Sequence, residues 1–234
     1  MCATHRLRIS RHCGRRRGRL RLLTLDPERP GATEVIGAAS DAGIVVSLGH
    51  TNASQPVVAR ATKAGATIST HFFNGCARLI DRHENPIFSQ LAESSLHACL
   101  IANGHHVPFP ALPVAFRAKG FAKCILVSDI SSLSGLPEGE YKMEENRVEL
   151  RDGGLFVKGD WRLSGAARTL DRDVELLARH PEVGIEKALL MATANPAAAL
   201  HDAAGAEFTP GGNGPLGVFS WDGSNLLLEK RIGF

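Results

Sequence analysis

Beyond Leu20 the chain alternates between two apolar patterns: short unbroken apolar runs, and longer stretches in which apolar residues recur at helical spacing. The helical spacing predicts helices over 32–42, closed by Gly43, over 56–64, closed by Gly65, and over 108–119, ending at Gly120. The unbroken runs predict strands at 44–49 (IVVSLG), 67–71 (TISTH), 98–103 (ACLIAN) and 124–128 (CILVS). Further helices are expected at about 166–180 and 185–202, with a hairpin over 143–158 before them. Strands that are apolar on both faces and separated by helices are parallel strands covered on both sides, so the fold class is α/β. Residues 206–234 are Gly-rich, with short apolar strands and no helical period, and predict a small β appendage.

Charge changes the picture at the other end. Lys and Arg number 27 against 24 Asp and Glu, but eight arginines fall in the first 21 residues, where there is no acid. The rest of the chain sets 19 bases against 24 acids, so the basic pI of about 8.7 belongs to the leader, and no nucleic-acid partner is expected for the body. Residues 1–19 are expected to form a disordered Arg-rich leader, because like charges repel and no apolar face is available. An organellar presequence, an RNA-binding arm and a misplaced start site are the alternative origins. Five cysteines with no CxxC pair argue against a disulfide framework and for a reducing compartment, which makes the cytoplasm the expected location. No apolar run approaches the roughly 18–20 residues of a membrane span, so no membrane partner is expected.

Chemistry gathers at the strand ends. IVVSLG runs into His50, TIST into His71, the ACLIAN run into His105 and His106, and ILVS into Asp129. Successive members are separated by about one strand-helix unit, and in a parallel barrel such ends converge on one face. Imidazole ligands, an open position for water and a carboxylate to move a proton are what a metal hydrolase needs. One histidine at a strand end is ordinarily a surface or structural residue, and an aspartate there is often a helix cap. Four such ends in succession exceed what packing requires.

The segments carrying these residues resemble the successive motifs of one family. SLGHTNAS around His50, AGATISTHFFNG around His71, LIANGHHV (100–107), ILVSDI (125–130), RLSGAAR (162–168) and MATANPAAAL (191–200) are similar, in order and spacing, to N-acetylglucosamine-6-phosphate deacetylases of the amidohydrolase superfamily. The resemblance implies a TIM barrel with an attached small β-sandwich; residues 20–205 would be the barrel's C-terminal part and 206–234 a remnant of the sandwich. It implies hydrolysis of the N-acetyl group of N-acetylglucosamine 6-phosphate, giving glucosamine 6-phosphate and acetate in amino-sugar catabolism. A divalent metal ion is implied too, with zinc the usual occupant. By that resemblance His50 and His71 are metal ligands, and Asp129 is the acid/base that takes a proton from water and returns it to the leaving amine. Asn74, Gly75, Asn103, Gly104 and His106 match positions around the sugar and its phosphate, and Leu163, Ser164 and Gly165 match a segment lining the pocket. Arg82 matches an arginine that reaches a phosphate across a homodimer interface.

The chain also departs from the family. A glutamate ligand and a further histidine precede, in the family, anything present here, so the match lacks a third protein ligand; His105 and Glu84 are the residues at hand to replace it. Asn103 stands where the family usually has aspartate, Ser128-Asp129-Ile130 replaces the usual TDA, and the LSGS-like loop ends in Ala166. The expectation is therefore a deacetylase impaired by its missing N-terminal half. The alternative is a non-catalytic, truncated remnant that binds sugar phosphate or a partner, and an RNA-binding protein is the third reading, disfavoured because no RNA module follows the leader.

Overall fold

A computed structural model describes residues 20–143, 145–202 and 216–233. The expected leader at 1–19 and the first part of the appendage lie outside the described residues. The fold is mixed α/β and divides into two compact units, one running to Cys99 and taking in Ala199–His201, the other comprising Leu100–Ala198 and the chain from Asp202.

In the first unit, β1 (Leu22–Leu25), β2 (Val45–Leu48), β3 (Ala66–Ser69) and β4 (His97–Leu100) are parallel and adjacent in chain order. The connections are α1 (Ala32–Asp41), α2 (Gln55–Lys63) and α3 (Pro86–Ala92). Every residue of β2 is buried, which is why it reads as an unbroken apolar run. Helices α1 and α2 present Ile36, Ala39, Val58 and Ala61 to a core shared with Val46, Leu48, Ala66 and Leu96. Two features depart from the sequence pattern here. The 98–103 strand ends at Leu100, because Ile101, Ala102 and Asn103 are buried as loop, and burial alone produces an apolar run. Helix α3 was not anticipated; it is short, starts at Pro86, and is capped by Asn85, whose Oδ1 accepts from the Phe88 N–H at 2.9 Å.

In the second unit a 3₁₀ turn (Phe109–Ala111) leads into α4 (Leu112–Lys119), followed by β5 (Cys124–Leu126). Past the end of β5, the Val127 N–H donates to the carbonyl of Leu100 at 3.0 Å. The hairpin expected at 143–158 is larger: β6 (Gly139–Met143), β7 (Asn146–Arg151), β8 (Gly154–Val157) and β9 (Leu163–Ala166) form a four-stranded antiparallel sheet. Its small core is Val148, Leu150 and Leu155. The helix expected from 166 begins only at Leu170 (α5, Leu170–Ala178), since Leu163–Ala166 is strand. The long helix expected over 185–202 is broken into α6 (Gly184–Ala192) and α7 (Ala194–Ala199). At the break the Asn195 side chain donates to the carbonyls of Phe121 and Cys124, each at 2.8 Å. The appendage contains an antiparallel hairpin, β10 (Leu216–Trp221) and β11 (Leu226–Ile232).

Candidate active site

In the first unit the ladder continues past the strand ends and brackets the two histidines. The Gly49 N–H donates to the Leu25 carbonyl at 3.1 Å immediately before His50, while Thr70 and Phe72, on either side of His71, donate to Leu48 (2.8 Å) and Cys99 (2.6 Å). Both histidines sit at positive φ (His50 53°, His71 29°), a region that side-chain-bearing residues visit rarely and that clusters at functional sites. The resulting turns bring the imidazoles together, with Nε2 to Nε2 at 3.0 Å and the ring planes 82° apart. His71 is buried and His50 is exposed.

Two imidazole nitrogens at that separation suit one divalent ion, since a tetrahedral shell with bonds of about 2.0–2.1 Å has an edge of roughly 3.3 Å. Without an ion, the same contact is a hydrogen bond in which one ring donates and the other accepts. No group of three or more His, Cys, Asp or Glu that could hold a metal occurs among the described residues. The two residues considered as a third ligand are engaged elsewhere or exposed. His105 Nε2 meets the Asp152 carbonyl at 2.9 Å, and Glu84 lies on an exposed loop organised by Asp81.

Gly75 closes over this pair. Its φ is +71°, and a Cβ there would stand 2.9 Å from His71 Cε1 and 3.0 Å from His50 Cα, so only glycine lets the loop come this close. Asn74 is tied to the same turn, its N–H donating to the His71 carbonyl at 2.9 Å and its Nδ2 to Phe72 O at 3.3 Å. Arg82 is exposed, and its side chain makes no hydrogen bond or ion pair among the described residues.

Glu28, which the motif reading missed, supports the His50 loop. One carboxylate oxygen accepts from the Thr51 hydroxyl and from the Asn52 N–H, each at 2.7 Å, and Asn52 Oδ1 in turn accepts from the Ala77 N–H at 2.7 Å. Three strand-to-helix loops are linked in this way. The available signal was an acid placed just after an apolar run, LLTLDPE.

In the second unit Asp129, exposed and also at positive φ (53°), follows β5. Its carbonyl accepts from the Ala166 N–H at 2.7 Å and Ser131 donates back to Ala166 at 2.8 Å, so β9 lies alongside the aspartate. This brings Gly165, preceded in the same strand by Leu163 and Ser164, to Asp129. At Gly165 (φ +89°) a Cβ would be 3.1 Å from the Asp129 carbonyl oxygen. His106 is buried, and its Nε2 is 3.8 Å from Asp129 Oδ2. Asn103 and Gly104 shape the turn that carries His106; at Gly104 (φ +81°) a Cβ would meet the Phe109 ring at 2.9 Å.

No protein-family model matches the chain. It is 34% identical over 178 residues to an N-acetylglucosamine-6-phosphate deacetylase of Vibrio furnissii, covering 76% of this chain and 44% of that one. It is 33% identical over 179 residues to an N-acetylgalactosamine-6-phosphate deacetylase of a Shewanella strain (76% and 45%). The solved N-acetylglucosamine-6-phosphate deacetylase of Pasteurella multocida superposes with a TM-score of 0.79 at 26% identity, over 88% of this chain and 54% of that one. The enzyme of that name from Mycobacterium smegmatis gives a TM-score of 0.71 at 29% identity, over 77% and 49%. With motifs, strand-end geometry and relatives in agreement, the chain belongs to the N-acetylglucosamine-6-phosphate deacetylase family and spans about half the length of the relatives it matches.

Proposed function

We propose that the chain carries part of a metal-dependent amide hydrolase centre acting on an N-acetylated amino-sugar phosphate, N-acetylglucosamine 6-phosphate first among them. The observation that carries this reading is the convergence of the His50 and His71 Nε2 atoms to 3.0 Å at the ends of adjacent parallel strands. In this reading those two nitrogens hold a divalent ion, zinc by the family resemblance, and the parallel strands are a section of a TIM-type barrel. When bound, the ion would polarise water and the acetamide carbonyl. By the family resemblance Asp129 is the acid/base, taking up a proton from water and delivering it to the leaving amine. His106 and Asn103 orient the sugar beside Asp129. Asn74 and the Gly75 backbone line the histidine loop, and the exposed Arg82 guanidinium is available to a phosphate, including one bound by a second copy in a homodimer. The cytoplasm is the matching site of action.

Acetate release from N-acetylglucosamine 6-phosphate, with zinc supplied, tests the reading in wild type and Asp129→Asn. Slow release is expected, because two protein donors hold an ion weakly. Loss of that release in Asp129→Asn supports the proposal, and equal release in both variants overturns it. A second reading is a chain that binds sugar phosphate without turning it over. Binding without any acetate release would select it.

A further inference from the structure

Asn103 is buried at the turn that follows β4, and its side chain faces two ways. Oδ1 accepts from the backbone N–H of His105 at 3.0 Å and of His106 at 3.1 Å. Backbone N–H groups only donate, so they fix which end of the amide is oxygen; a flipped amide would set its NH₂ against two donors. The NH₂ end then faces the His106 ring, with Nδ2 at 2.9 Å from Nδ1, while Oδ1 is farther from the same nitrogen, at 3.2 Å. An amide NH₂ has no lone pair to offer, so a 2.9 Å contact with Nδ1 is attractive only if Nδ1 is the unprotonated, accepting nitrogen of the ring. A proton on Nδ1 would oppose two donors.

We infer that Asn103 is a positioning residue that holds neutral His106 in the tautomer with its proton on Nε2. Nε2 is the nitrogen that stands 3.8 Å from Asp129 Oδ2, so the N–H is directed to the side where the carboxylate lies. In terms of the hydrolase reading above, on which this consequence rests, His106 is a hydrogen-bond donor to Asp129 or to a substrate oxygen beside it. It has no lone pair at Nε2 with which to act as a base, and proton uptake falls to Asp129 alone. The side chain at 103 decides this. An aspartate there would offer Nδ1 only accepting oxygens, and the ring would have to place a proton on Nδ1 to satisfy them.

Long-range ¹H–¹⁵N correlation spectra of the histidine-labelled 234-residue chain, recorded at about pH 8.5 so that an ordinary imidazole is neutral, test the assignment directly. The His106 ring is identified by the cross-peaks lost in His106→Gln. The expected wild-type spectrum shows Nε2 as the protonated, pyrrole-like nitrogen and Nδ1 as the bare, pyridine-like one. In Asn103→Asp the two exchange, or both become protonated at that pH. A wild-type spectrum with the proton on Nδ1, or on both nitrogens, overturns the inference, and so does an unchanged tautomer in folded Asn103→Asp. The tautomer is read without turnover, so failure of the deacetylase reading and failure of this inference are separate results.

Discussion

The two units hold their candidate residues by different means. His50 and His71 stand at the ends of short parallel strands that are buried almost throughout, and ladder bonds before His50 and on both sides of His71 fix the turns that aim their rings. Asp129 follows a strand of three residues and is steadied from the side by β9, the edge of an amphipathic antiparallel sheet. In the first unit the site is a consequence of the sheet itself. In the second it depends on an element added alongside.

Buried charge gives the largest expected contrast. The buried polar side chains of the first unit include Ser47, Thr51, Ser69, Asn85 and Gln90, all hydrogen-bonded. The second unit holds Asp173, fully buried, with no hydrogen-bond partner for either carboxylate oxygen among the described residues. Burial pushes its carboxyl up to about 7, from 3.8, against the pull of Arg168. Between these values the folded chain keeps a proton that the unfolded chain releases, so stability falls as pH rises through the window and the loss is complete above it. The loss at pH 8 is on the order of 4 kcal/mol. Asp173→Asn should recover most of it at pH 8 and almost none at pH 4, measured by urea unfolding. An equal gain at both pH values would show that the charge of Asp173 is not responsible.

The glycines sharpen the comparison at the sites themselves. Gly75→Ala should cost about 1–3 kcal/mol through its positive φ alone. The added methyl would also crowd three atoms of the histidine pair within 3.2 Å, whereas at Gly165 one backbone oxygen lies at 3.1 Å and the next atom at 3.5 Å. Thermal unfolding should therefore rank Gly75→Ala as the more damaging, and the reverse order would contradict the view that the first unit is the more tightly determined. Glu28→Ala, which removes the acceptor for Thr51 and Asn52, should cost a smaller amount, about 1–2 kcal/mol given its exposure, with Glu28→Gln milder still. Its effect on cobalt affinity should be on the order of tenfold, as for other outer-shell partners. No change in affinity would mean that the loop network does not support the histidines.

The same contrast governed what could be read from the sequence. Parallel strands buried on both faces leave unbroken apolar runs, so β2 and β3 were legible, and with them the strand-end positions of His50 and His71. The run ACLIAN overshot because Ile101 and Ala102 are core residues in a loop, where apolar character marks burial and not extended backbone. The four-stranded sheet was seen only as a hairpin, since β6 alternates half-buried with exposed residues and β9 is four residues interrupted by Gly165. Asn195, beside the break between two helices, bonds to Phe121 and Cys124, more than 70 residues away, which no local pattern reveals. His105 and His106, adjacent in sequence, diverge: one binds the Asp152 carbonyl, the other turns inward to Asn103.

His50 and His71 are proposed to act as a pair of metal donors, and cobalt(II) titration followed by visible absorption tests that pair directly. The wild-type chain should take up cobalt with the bands of a low-coordinate nitrogen site, His50→Ala and His71→Ala should each lose them, and Asp129→Asn should keep them. Absence of binding in the wild type, or cobalt bands in either histidine variant equal to those of the wild type, would contradict that proposal.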